Sequence, residues 1–201
     1  MRARGAPRER GITLLIATIA VIALALAGAA LLRAVATGTA IGGNLVARQQ
    51  ATLAASAAIE EAAAALFSPG AIEEAGDDPA HHYFAARQAG EDRRGIPAVL
   101  RTRADYPPGW TAIDVGDGYT ARHVVERLCL LPGEASVANC TLSPPSVEAT
   151  RGVPPPGEPP RVAQFRVTVR VDGPAGAATF VQAMLSATLP NPRRSWRVLD
   201  E

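Results

Sequence analysis

Residues 12–32 read ITLLIATIAVIALALAGAALL, an uncharged run bracketed by Arg10 and Arg33. At a helical rise of about 1.5 Å per residue the run spans roughly 32 Å, against a hydrocarbon core of about 30 Å. A chain carrying it must place that segment in lipid, or hide it against other apolar surface. The flank before it, MRARGAPRERG, holds Arg2, Arg4, Arg8 and Arg10 against Glu9 alone. Basic residues beside a span stay on the cytoplasmic side, so the remainder is expected across the membrane. A secretory signal is the competing reading, since Ala34-Val35-Ala36 and the Thr37 to Ala40 segment loosely fit cleavage sites. Its apolar stretch is usually only about 7–15 residues.

Composition divides the chain near residue 67. The four Phe, three Tyr and two Trp all lie at or after Phe67, and no proline falls between Pro7 and Pro69. Residues 34–66 are alanine-rich, with larger apolar side chains at Ile41, Leu45, Leu53, Ile59 and Leu66, mostly four, seven or eight apart. That spacing predicts a helix continuing past the span, with one narrow stripe to bury. Arg48, Gln49, Gln50, Glu60 and Glu61 suit its solvent side. Gly42-Gly43 is the expected place for a bend or local melting, each glycine costing about 1 kcal/mol relative to alanine.

The rest reads as a small α+β head. Residues 68–118 are rich in Pro, Gly and charge and are expected to be loops with one or two short strands. Residues 119–131 carry a strand pattern, and residues 143–160 are a proline-rich loop. In residues 162–171, Phe165, Val167, Val169 and Val171 alternate with Gln164, Arg166, Thr168 and Arg170, as in a half-buried antiparallel strand. A turn at Asp172-Gly173-Pro174-Ala175-Gly176 leads into a returning strand from Ala178. The hairpin needs cover and the helix stripe needs a surface, so the helix is expected to pack on a small antiparallel sheet. The tail from Pro190, with Arg193, Arg194 and Trp196, reads as peripheral.

Cys129 and Cys140 allow one intramolecular pairing, which an oxidising compartment favours; two buried free thiols are the alternative. Motifs for chemistry are sparse. A formal net charge of +1 argues against a general nucleic-acid binder. His81-His82 beside Asp77 and Asp78 lacks zinc-ligand spacing, because adjacent residues on a strand point to opposite faces. Glu73, Glu74, Asp77 and Asp78 lack the calcium-loop pattern, and no nucleophile elbow or phosphate-binding loop is present. Asn139-Cys140-Thr141 matches a glycosylation acceptor by chance, and Arg122 and Arg127 read as a solvated face. No cofactor or metal is expected, and the chain is not read as an enzyme.

The basic leader ending in glycine and the span that continues as an amphipathic helix resemble the type IV pilins. Within them the chain is similar to PilX-type minor pilins. The likeness rests on Arg10-Gly11-Ile12-Thr13-Leu14-Leu15, on Gly43-Asn44-Leu45-Val46-Ala47-Arg48-Gln49-Gln50-Ala51 and on Ala57-Ala58-Ile59-Glu60-Glu61-Ala62. It extends to Arg122-His123-Val124-Val125-Glu126-Arg127-Leu128-Cys129 and the final hairpin. The resemblance implies a leader of residues 1–11, a long helix over residues 12–67 and a periplasmic head over residues 68–201. It implies cleavage after Gly11 by a prepilin peptidase, methylation of the new terminus at Ile12, and an assembly helix that includes Ile16, Gly42, Gly43 and Asn44. Removing four Arg and one Glu would take the formal charge from +1 to −2.

Where most pilins carry a glutamate at the fifth mature position, this chain has Ile16. The glutamate's expected partner is the terminal amine of an adjacent subunit, so its absence fits a subunit at the tip, which has none above it. The implied partners are other minor pilins, the major pilin, the peptidase and the inner-membrane assembly platform. A pseudopilin of a type II secretion system shares the same anchor logic, and a membrane-anchored periplasmic enzyme or binding domain is the reading from another class.

Overall fold

A computed structural model describes residues 9–70, 72–73, 75–143, 162–186 and 193–199. The chain divides into two units, Met1–Ala47 and Arg48–Glu201, and one helix, α1 (Glu9–Phe67), contributes to both.

In the first unit every side chain described from Ile12 onward is exposed, including Ile12, Leu15, Ile16, Leu24 and Leu32. The segment is long and apolar enough to cross a membrane. Its hydroxyls close on the helix itself, Thr18 Oγ1 donating to the Leu15 carbonyl at 2.8 Å and Thr37 Oγ1 to Arg33 at 2.9 Å. A helix in lipid must satisfy its polar groups internally in this way. Gly42 and Gly43, where a bend or local melting is expected, are both within the helix assigned to α1. Alanine-rich helix on either side outweighs the local glycine penalty.

The second unit places the end of α1 on a sheet. Its buried positions are Ala51, Ala54, Ala55, Ala58, Ile59, Ala62 and Ala63, a stripe at three- and four-residue spacing. Leu53, expected in the buried stripe, is instead 64% exposed on the opposite side. Alanine forms the contact because the sheet supplies the bulk: Tyr83, Phe165, Val167, Val169, Val171 and Leu185 fill the same cluster. α1 ends where Ser68 caps it, its amide and hydroxyl both donating to the Ala64 carbonyl, and Pro69-Gly70 then turns the chain, with Gly70 at φ +73°.

The strands are β1 (Tyr83–Phe84), β2 (Ile113–Gly116), β3 (Tyr119–Arg127), β4 (Leu142–Ser143), β5 (Val162–Asp172), β6 (Ala178–Ser186) and β7 (Arg193–Val198). They are ordered β1-β3-β5-β6-β7, with β2 also on β3 and β4 on β5. The hairpin of β5 and β6 is antiparallel and in register from Gln164 opposite Ser186 to Asp172 opposite Ala178. The sheet is mixed rather than antiparallel throughout, because β1 runs parallel to β3. Asp117 and Gly118 both take positive φ in the tight turn between β2 and β3, as a two-residue hairpin turn requires. The tail is not peripheral: β7 pairs with β6 from Val198 opposite Val181 to Arg193 opposite Ser186. Of the proline-rich loop, residues 144–160 lie outside the described residues.

The larger departure from expectation is the second face of β5. Arg166 and Thr168 do not meet solvent; they are 7% and 0% exposed. Residues 86–106 lie over that face, with one-turn 3-10 helix Ala98–Leu100 anchoring a second cluster of Ile96, Leu100, Tyr106, Val124 and Phe180. The head therefore has three layers: helix, sheet and loop.

The alanine contact makes a sharp contrast between neighbouring helix positions. Ala58→Leu is expected to lose about 1–3 kcal/mol through overpacking, and Leu53→Ala to change stability by no more than about 0.5 kcal/mol. Urea unfolding of the two variants checks both values.

Candidate functional site

The residues singled out from sequence fall in separate places. Gly11, Ile12, Ile16, Gly42, Gly43 and Asn44 all lie in α1 within the first unit. Ile12 and Ile16 are about equally exposed, at 61% and 60%. A Cβ at Gly42 or Gly43 would meet no atom within 4 Å. These positions offer an uncharged surface rather than a pocket. Ile16 brings no carboxylate to it, so no acidic side chain there requires a partner.

In the head, Cys129 and Cys140 are disulfide-bonded. They close a loop held from several directions. The Asn139 side chain accepts from the Leu131 amide and donates to the Leu131 carbonyl, each at 2.9 Å. This pair of hydrogen bonds engages both ends of the Asn139 side-chain amide. Arg127 Nη1 donates to the Gly133 carbonyl at 2.7 Å, and the Gly133 amide reaches the Ala75 carbonyl at 3.0 Å. Arg127, expected on a solvated face, is 2% exposed. The loop turns Leu130, Leu131 and Val137 outward.

Two charged networks fasten the loop layer to the sheet. Glu126 on β3 is fully buried; its Oε1 accepts from the Gln88 amide at 2.9 Å and its Oε2 from Arg166 Nη2 at 2.7 Å. Arg166 also binds Glu91 of the loop layer. Burial pushes the Glu126 carboxyl above its ordinary range and Arg166 draws it part of the way back. Hydrogen bonding to Arg166 holds Glu91 low. Asp172, at the end of β5, gathers three arginines: Arg122 at 2.5 Å, Arg170 at 2.9 Å and Arg103 at 3.2 Å. Burial alone would raise its pKa, but hydrogen bonds from Arg170 and Arg103 keep it lowered. Arg122 is thus an internal ion-pair partner, not part of a solvated face.

The histidine pair also divides. His81 is part-exposed and bonds Asp78 at 2.7 Å, while His82 is buried at φ +54°. That left-handed backbone turns the His82 ring inward, onto Trp110, with ring centroids 4.7 Å apart. The Thr111 amide donates to its Nε2 at 3.2 Å, and its Nδ1 lies 3.1 Å from the Tyr106 hydroxyl. A buried His123 ring sits 4.7 Å from it. Among the described residues no three His, Cys, Asp or Glu side chains gather to hold a metal ion. Sequence reading missed His82, His123, Glu126 and Asp172 as interior groups, because neither the positive φ nor the covering loop layer has a sequence pattern of its own.

Arg166→Met strands Glu126 in the core and is expected to lose about 3–5 kcal/mol. Adding Glu126→Gln removes the bare charge and recovers part of that loss. Equilibrium unfolding of the single and double variants measures the coupling; a double variant as unstable as the sum of the two singles would contradict it.

No protein-family model, curated protein or solved structure matches the chain, so only its own residues and their geometry speak to function.

Proposed function

We propose that the chain is a minor pilin-like structural subunit that helps initiate type IV pilus assembly, and that it takes a place at the filament tip. The observation that carries this reading is the continuity of α1. Helix runs without interruption from the apolar segment of membrane-spanning length to the alanine stripe buried on the sheet. An envelope enzyme or binding domain on a membrane anchor ordinarily has a flexible linker at that place. Here the anchor segment and a core element of the head belong to one helix.

In this reading the leader arginines hold the amino terminus in the cytoplasm and the head stands in the periplasm, where the Cys129–Cys140 bond is at home. Cleavage after Gly11 frees Ile12. The small residues of the span, among them Ala27, Gly28, Ala29 and Ala30, suit close approach to neighbouring helices once the subunit leaves lipid. Lacking a carboxylate at Ile16, the subunit has nothing with which to receive the terminal amine of another, which favours the tip over the shaft. Its partners are the prepilin peptidase, the major pilin, other minor pilins and the inner-membrane assembly platform.

Mass spectrometry of the protein from its native membrane is expected to find a methylated Ile12 at the amino terminus. An intact Met1, or a start near Ile41, removes the reading. A tag on the head is expected to mark filament ends, and even decoration along the shaft overturns the tip assignment.

A further inference from the structure

The chain has three histidines, and all of them meet at one place. His82 and His123 are buried with their rings 4.7 Å apart, and His81 adjoins them while bonded to Asp78. Histidine is the only side chain whose ordinary titration falls between pH 5 and 7. Acid in that range therefore acts on the head here, besides at Glu126, whose carboxyl burial raises.

The hydrogen bonds around His82 admit one protonation state. Nε2 accepts from the Thr111 amide, so it carries no proton. The ring proton lies on Nδ1 and is donated to the Tyr106 hydroxyl, which donates in turn to the His123 carbonyl at 3.3 Å. Every link needs His82 neutral. A second proton would place an N–H on Nε2 against the Thr111 N–H, donor against donor. The surroundings give such a charge little help. His81 on the same segment and His123 on β3 are themselves basic, and Arg122 on β3 lies 5.8 Å from the Tyr106 ring. Asp78 is engaged by His81, and Asp105 by the Thr102 amide and hydroxyl. Glu61 of α1 is the acidic group that acts on Tyr106, and it is exposed. Burial lowers the pKa of both inner histidines, that of His123 to about 3.

We propose that residues 105–112, which carry Tyr106, Trp110 and Thr111, form an acid-released flap held shut by the neutral His82 ring. The inference is independent of the pilin reading. In the shut state the flap stacks Trp110 on His82 and sets it 5.6 Å from the Phe84 ring. Protonation of His82 breaks the Thr111 bond, and the flap opens to hydrate the cation. Glu91 and Asp172, which hold the loop layer elsewhere, have lowered pKa values and remain ionised at pH 5, whereas burial raises the Glu126 carboxyl, so Glu126→Gln is the control that separates its titration from that of His82.

The sign follows from linkage. A lowered histidine pKa means that the shut state is favoured above about pH 6.5 and loses ground as pH falls below it. For one histidine of ordinary pKa in the open state, going from pH 7 to pH 5 raises the opening equilibrium by up to about 25-fold, the limit reached when the shut-state ring stays neutral throughout.

Hydrogen exchange of the full-length protein in detergent micelles, corrected for intrinsic rates, tests this. The amides of residues 105, 106 and 109–112 are expected to lose protection severalfold and by no more than that limit, with residues 164–171 and 178–185 unchanged. His82→Asn, which tolerates the positive φ and does not titrate, is expected to cut the factor at least fivefold. Histidine nitrogen NMR of the unaltered protein serves if that variant does not fold, and is expected to show the Nδ1-protonated tautomer at pH 7. Protection at residues 105–112 that ignores pH, equal loss across β5 and β6, or an Nε2-protonated His82 would each overturn the proposal.

Discussion

The head depends on a contact between alanine and large β-branched and aromatic side chains. A helix face built from Ala51, Ala54, Ala55, Ala58, Ala62 and Ala63 has little surface of its own to bury. The volume is then filled from one side, by Phe165, Val167, Val169, Val171 and Leu185. Close packing punishes extra methylenes on this face, whereas Leu53 lies on the exposed side of the helix. Alanine is also frequent in residues 12–32, the segment long and apolar enough to cross a membrane.

The opposite face of the sheet is assembled on a different principle. Its arginines and carboxylates are covered, and burial of charge is tolerated only with partners. Glu126 with Arg166, and Asp172 with three arginines, meet that condition by reaching into the loop layer. Arg170 extends the pattern by donating to the Leu100 carbonyl at 3.2 Å. Residues 86–106, poor in regular structure, are held to the sheet by these bonds. Where the charged network ends, at residues 105–112, attachment passes to the Tyr106 side chain in the second apolar cluster and to the hydrogen bonds around the His82 ring.

These two principles explain what the sequence disclosed. The hairpin was legible because period-two alternation from Phe165 to Val171 and the Gly-Pro turn are local signals. The long helix was legible because alanine without proline admits little else. The buried stripe was not, since the larger Leu53 draws attention that belongs to Ala54 and Ala55. Alternation also reports which residues share a face and not what covers the face, so Arg166, Arg170, Arg122 and Arg127 read as solvated when they are internal. His82 escaped because a positive φ overrides strand geometry, and β7 escaped because an arginine-rich edge strand looks like a charged tail. Of the residues chosen for function, the disulfide pair is bonded, and those on α1 lie on an exposed, uncharged surface consistent with, though not specific to, assembly.

The account centres on the end of α1 as a core element of the head. Comparing a chain of residues 48–201 with one of residues 68–201, disulfide intact, by urea unfolding tests that most directly. With residues 48–67 present the head is expected to unfold in one cooperative transition; without them no cooperative transition should remain. A head of residues 68–201 that unfolds cooperatively at the same urea midpoint would contradict the account.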